Sequence, residues 1–82
     1  MNTSDTFILT GVLEKDAEPI LNAEKELGCL LTVRDKMRTY SVEVFSELSA
    51  VLYRYALKGM PVIIPVRKLE DGTLFATVVY PA

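Results

Sequence analysis

The sequence predicts an all-β fold with one helix: a five-stranded Greek-key barrel of the OB type, with three strands before the helix and two after it. Three observations predict it. Three segments of two-residue alternation precede a single stretch of helical period, and two more follow it. A glycine, Gly11, interrupts the first alternating segment, as where a sheet curls. Only one helix is long enough to cross between strands, whereas a ferredoxin-like fold needs two. Closing the sheet on itself lets so short a chain bury strand faces and a helix stripe together.

The first strand is TFILTGVLE, Thr6–Glu14, with Phe7, Leu9 and Leu13 on one side of the pleat and Ile8, Thr10 and Val12 on the other. KDAEPILN continues as a loop or irregular strand extension, and Pro19 argues against central pairing there. GCLLTVR, Gly28–Arg34, is the second strand, with Cys29, Leu31 and Val33 inward and Leu30, Thr32 and Arg34 outward. DKMR is a turn. TYSVEVF, Thr39–Phe45, is the clearest alternation: Tyr40, Val42 and Val44 face one way, Thr39, Ser41, Glu43 and Phe45 the other.

The period then changes. Ser46 is a good N-cap, because its hydroxyl can accept from an orphan amide of the first turn. Leu48, Val51, Leu52 and Tyr55 form one apolar stripe, Arg54 and Lys58 suit the later turns, and Gly59 with Pro61 stops the helix. The expected helix is Ser46–Lys58. Met60–Lys68 is the fourth strand, with Pro65 at an edge or bulge position. EDG is a turn, and Thr73–Tyr80 is the fifth strand, hairpin-paired to the fourth.

The 82 residues are expected to form one domain, 1–82. Half are apolar and 24% are charged, an ordinary globular composition. No apolar run approaches membrane-spanning length, and the opening MNTSDTFILTG lacks the basic and long apolar regions of a signal peptide. A cytoplasmic location is therefore expected. With no histidine and a single cysteine, the usual zinc, haem and nucleophile–base arrangements lack their parts. No cofactor or metal is expected, and no enzyme activity. Cys29, in an apolar run, reads as a small buried hydrophobe. Tyr53 and Tyr55 read as packing and solvent-edge residues.

The net charge of −2 is unevenly spread. Residues 1–33 carry two basic and six acidic side chains, 34–68 seven basic and three acidic, and 69–82 add Glu70 and Asp71. A basic middle in an acidic chain fits a partner footprint as well as ordinary solvated surface.

Two stretches carry a family likeness. FILTGVLEKDAEP resembles the opening strand of bacterial single-stranded DNA-binding proteins, with an internal glycine and then a basic residue, an Asp, a Glu and a Pro. VEVFSELSAVLYRYALKGMPVIIPVRKL resembles that family's third strand, helix and fourth strand nearly position for position. A strand ends in Phe and a small residue, an amphipathic helix closes on Lys-Gly, and the next strand leads to Arg67.

The resemblance implies an OB-fold that binds single-stranded DNA, with RNA left open, without strong sequence preference and often as a homo-oligomer, dimer or tetramer, in DNA replication. Such binding stacks bases on aromatic rings and pairs phosphates with cations. Phe45 falls on the family's stacking Phe, and packing under the helix N-terminus is the competing role. The family's other third-strand aromatic falls on Thr39. Arg34, Lys36 and Arg38 surround the second-to-third-strand turn, and Arg67 and Lys68 flank the last hairpin, both places where OB-folds touch nucleic acid. The chain departs from the family in having no Trp, in Glu43 on the presumed DNA face, in Pro65, in the shortened hairpin KLEDGTL, and in the acidic Phe-terminated tail that would follow VVYPA. The alternative is an OB-fold protein-interaction or oligomerisation module, with outward Ile8, Val12, Leu30 and Val79 lining a subunit interface.

Overall fold

The structure is a computed structural model and describes residues 5–82. Its elements run β1 (Asp5–Leu13), β2 (Glu18–Leu21), β3 (Leu27–Asp35), β4 (Arg38–Val44), α1 (Leu48–Tyr55), β5 (Pro61–Lys68), β6 (Leu74–Ala76) and β7 (Tyr80–Pro81). The main path is β1-β3-β4-β6-β5, and β1 pairs again with β5, so the sheet closes into a ring. Within that ring β4 and β6 run parallel, Val42 opposite Leu74, and the other pairs are antiparallel. This is the expected OB-fold barrel.

Closure turns on β1. Its residues Asp5–Val12 pair with β5, while Val12 and Leu13 pair with β3. Gly11 stands at that handover. A Cβ there would lie 2.3 Å from the Arg34 carbonyl oxygen and 2.9 Å from Val33 Cγ1. Only a residue without a side chain lets the two backbones come that close.

The inner rows follow the two-residue period. Leu9, Leu13, Cys29, Leu31, Val33, Val42, Val44, Val62, Ile64 and Val66 are all buried. Phe7, on the same side of the pleat as Leu9, is 39% exposed at the end of its row. Thr32, expected outward, is buried, between Ser41 of β4 and Glu14, whose amide donates to its carbonyl. β2 pairs only with β3, so Pro19 lies on an edge strand as its missing amide requires.

Three expectations need correction. The helix is shorter than Ser46–Lys58. It begins at Leu48 and its last turn ends at Ala56, because the chain before β2 takes over the backbone there. Ala17 N donates to Ala56 O, Lys58 N to Asp16 Oδ1, and Gly59 N to Leu13 O. Gly59 still supplies the left-handed stop at φ 91°.

The buried helix face is also rotated by about one residue. Ser49 and Leu52 are buried in α1, Ala56 follows on the same face, and Tyr53 packs partly against the core. Val51 and Tyr55 are exposed at 47% and 64%. Ser49 accounts for the rotation. Its hydroxyl donates to the Val44 carbonyl at 2.9 Å, which makes a buried serine tolerable under the end of β4.

The fifth strand is split into β6 and β7, separated by Thr77–Val79. β6 pairs with Arg67 and Lys68, and β7 with Val62 and Ile63. Pro65 lies in the gap, opposite neither piece, where its missing amide costs no ladder bond. The irregular step also reverses the alternation: Val79, expected outward, packs against the core, and Val78 is exposed. Among the described residues, no helix is long and apolar enough to cross a membrane.

Gly11→Ala is expected to cost roughly 3 kcal/mol, at the upper end of ordinary overpacking, because the obstacle is backbone. Urea unfolding measures this, and an unchanged midpoint would show that the handover does not need glycine.

Candidate nucleic-acid interface

Paired residues of neighbouring strands face the same side of a sheet. The register therefore builds the outer face row by row. One row is Leu30, Glu43, Phe75, Arg67 and Thr6. Another is Arg34 and Thr39 on the β3–β4 hairpin. Glu43 and Thr39 are four residues apart, so the rows are about 13 Å apart along β4.

Around the first row lies a groove of about 720 Å3. Phe7, Phe45 and Phe75 line it, with Ile8, Pro65 and Arg67. The chain has three phenylalanines, and all of them converge here. Phe45 and Phe75 meet edge to face, with centroids 6.3 Å apart and planes at 86°. Among the described residues, Arg67 is the groove's one cation. The break between β6 and β7 forms part of the wall, through Ala76 and Thr77.

A second, polar groove of about 440 Å3 adjoins it across β4 and β6. Thr39, Ser41, Glu43, Asp71 and Thr73 line it, and among the described residues no cation does. The Thr73 amide donates to Asp71 Oδ1 at 2.9 Å and holds the Asp71 carboxyl below its ordinary pKa, so it is ionised at neutral pH.

The basic residues divide between two places. Arg34, Lys36 and Arg38 cluster at the β3–β4 hairpin, where Lys36 and Met37 form the turn between Asp35 and Arg38. Lys36 holds φ at 58°, and Met37 is 98% exposed. Glu14 reaches this cluster: Arg34 Nη1 lies 3.6 Å from its Oε2, and Thr39 Oγ1 donates to its Oε1 at 3.4 Å. Part of the hairpin's positive charge is thereby offset, though weakly, since Arg34 is largely solvated. Arg67 lies apart from the cluster, in the aromatic groove. Lys68 pairs with Leu74 and faces the side of the pleat opposite to Arg67. Of the residues singled out from the sequence, the structure brings Phe45 and Arg67 into one groove and places Arg34 and Thr39 on the same outer face at the β3–β4 hairpin, with Lys36 in its turn, whereas Arg38, paired with Asp35, and Lys68 face the other side of the pleat.

Sequence reasoning missed Phe7 and Phe75. The signal for Phe75 was available in its parity: it alternates with Leu74 and Ala76, so it must face outward. Cys29 holds no reactive position. It is fully buried, and burial pushes its thiol up to about 11. Among the described residues, no group of three or more His, Cys, Asp or Glu is placed to hold a metal.

Comparison with solved structures finds the same architecture in mitochondrial single-stranded DNA-binding protein Rim1 from S. cerevisiae. Its selenomethionine crystal structure matches with a TM-score of 0.80 at 16% identity, covering 99% of this chain and 97% of that one. A second Rim1 structure matches with a TM-score of 0.74 at 15% identity, covering 98% and 95%. At that identity the likeness is one of fold. No family model and no curated protein matches the chain.

A thiol-exchange reagent at pH 8 is expected to leave Cys29 of the folded protein unreacted and to label it on unfolding. The folded pKa of about 11 lies above the ordinary 9.0. The stability that comes from keeping the thiol neutral is therefore full below pH 9 and is lost between 9 and 11. Rapid labelling in the folded state would place Cys29 outside the core.

Proposed function

We propose that the protein binds single-stranded DNA without strong sequence preference, stacking bases in the aromatic groove and holding phosphates on the flanking cations. One observation carries this reading: all three phenylalanines meet in a single exposed groove beside Arg67. Phe7 is exposed and Phe45 and Phe75 are half-buried, and aromatic rings that reach a groove surface offer a platform to any base. Phe45 and Phe75 are the stacking rings, Arg67 pairs with a phosphate at the groove, and Arg34, on the same face as Thr39, extends the track, with Lys36 in the hairpin turn and Arg38 adding charge from the other side of the pleat. Thr39 lies on that track. Lys68 adds charge from the rim. The likeness of fold to a single-stranded DNA-binding protein supports the reading, as do the family-like stretches around Phe45 and Arg67. The protein on this view is a binder rather than a catalyst, acts as one OB-fold domain, and uses no cofactor.

The strand edges favour a homo-oligomer. Among the described residues, Asp5–Gly11 of β1 pair on one side only, with β5. Ile8 and Val12 on that strand are 61% and 43% exposed. An unpaired edge beside exposed apolar side chains is a template for a second copy. A second reading, an OB-fold interaction module that has lost nucleic-acid binding, is favoured by Glu43 and Asp71 in the polar groove. Both carboxylates repel phosphate.

Binding of labelled oligothymidine, followed across a salt titration, separates the two readings. Four phosphate contacts give a log–log salt slope of about −3 for a single strand. Phe45→Ala and Phe75→Ala are each expected to cost about 1–3 kcal/mol, roughly 5- to 150-fold in affinity. No binding at low salt and high protein concentration would leave the interaction module standing instead.

Glu43→Gln is expected to tighten binding at low salt, and the gain to fade by about 0.5 M salt as screening removes the repulsion it relieved. Equal affinity of the two proteins at low salt would place the strand away from β4.

A further inference from the structure

The wall of the aromatic groove has an unusual support. Gly28 stands near the start of β3, directly beneath Phe45. A Cβ built at Gly28 would lie 2.3 Å from Phe45 Cδ1, 2.5 Å from its Cε1 and 2.7 Å from the Val44 carbonyl oxygen. The space that any side chain would need is occupied by the phenyl ring. The same ring meets Phe75 edge to face. Gly28 is itself tethered, because its carbonyl accepts the hydroxyl of Tyr53 from α1. Tyr53 in turn packs against the core. A chain of contacts thus runs from the core through Tyr53 and Gly28 to Phe45 and Phe75.

We infer that Gly28 is the positioning residue of the groove: by leaving room for the Phe45 ring it sets that ring against Phe75 and keeps the groove open before a base arrives. This rests on the groove being the base-stacking site. The physical gain is pre-organisation. A ring already held in its bound orientation loses little freedom on binding, and that ordering cost otherwise subtracts from affinity. The direction of failure is also set. A methyl group at position 28 would overlap both the Phe45 ring and the Val44 carbonyl oxygen, so the ring must move and the β3–β4 backbone must shift with it. The ring moves away from β3, towards the groove it now lines.

The test compares the wild type with Gly28→Ala, Phe45→Ala and the double variant. Three quantities are read: oligothymidine affinity, the urea midpoint, and the proton contact between the Phe45 and Phe75 rings by NMR. Gly28→Ala is expected to lose the ring–ring contact and to bind about tenfold more weakly, within the range of one lost stacking contact. On the Phe45→Ala background the same change is expected to alter affinity by less than about twofold, since the ring it positions is gone. Wild-type affinity in Gly28→Ala, or a loss that adds in full to that of Phe45→Ala, overturns the inference. Tyr53→Phe covers the case in which Gly28→Ala does not fold. It removes only the tether, and weaker binding with a shifted Phe45 ring signal is expected. Unchanged signals and affinity would count against the inference. Should the wild type itself fail to bind, the functional reading falls, while the ring contact, measured without ligand, still decides whether Gly28 orients Phe45.

Discussion

The close approach of Gly11 to the Arg34 carbonyl is the constraint on which the rest depends. A ring needs one strand to belong to two neighbours, and β1 does so by pairing with β5 along most of its length and with β3 at its end. The bend between those two allegiances brings backbone against backbone, and a methyl group at the bend would overlap a carbonyl oxygen. Once the ring closes, every inward position on five strands faces the same interior. That interior is filled by Leu, Val and Ile with little else, and Cys29 serves there as one more small apolar side chain.

Closure also decides what the outside can do. With the core satisfied by inward residues, the outward rows are free to carry side chains that fold stability does not require. Ile8, Phe45, Phe75 and Arg67 are such residues, and the register places them next to one another although they come from four strands or strand ends. The same freedom explains the unpaired stretch of β1. Among the described residues, the neighbouring position in the ring is taken up only from Val12 onward.

Most of the barrel was legible because strand period and punctuation are local signals. Gly11, the alternation Tyr40–Val44, Gly59 and the awkward Pro65 each have one physical meaning wherever they occur in a strand or helix pattern. The rest depended on partners distant in sequence. The end of the helix is set by Asp16, Ala17 and Leu13, which take its last backbone groups, and nothing near Lys58 announces them. The rotated helix face follows from one hydrogen bond of Ser49 to Val44, so a polar residue displaced Val51 from the core. The split of the last strand leaves the run Thr73–Tyr80 looking continuous. In the groove, Phe45 and Arg67 were visible from the family likeness, whereas Phe7 and Phe75 come together with them only through pairing across β1, β5 and β6.

Ser46 was expected to be the N-cap, but the helix starts one residue later, with Glu47 in the cap position and no side-chain cap bond from it. The Ser46 hydroxyl does accept from the helix start, at the Leu48 amide, as a capping serine does. Yet the same hydroxyl lies 3.4 Å from the Thr77 carbonyl and donates to it. Thr77 begins the interruption of the last strand and lines the aromatic groove. Ser46 follows Phe45 directly, and Ser49 fixes the Val44 carbonyl just before it. The segment on either side of Phe45 is therefore bonded to the helix and to the far wall of the groove at once. A helix that looks like a plug for the barrel is thus also connected, through the residues just before it, to both sides of the groove. The edge-to-face contact of Phe45 with Phe75 lies between these two bonded sides, so the helix start, the end of β4 and the break in the last strand are parts of one local arrangement.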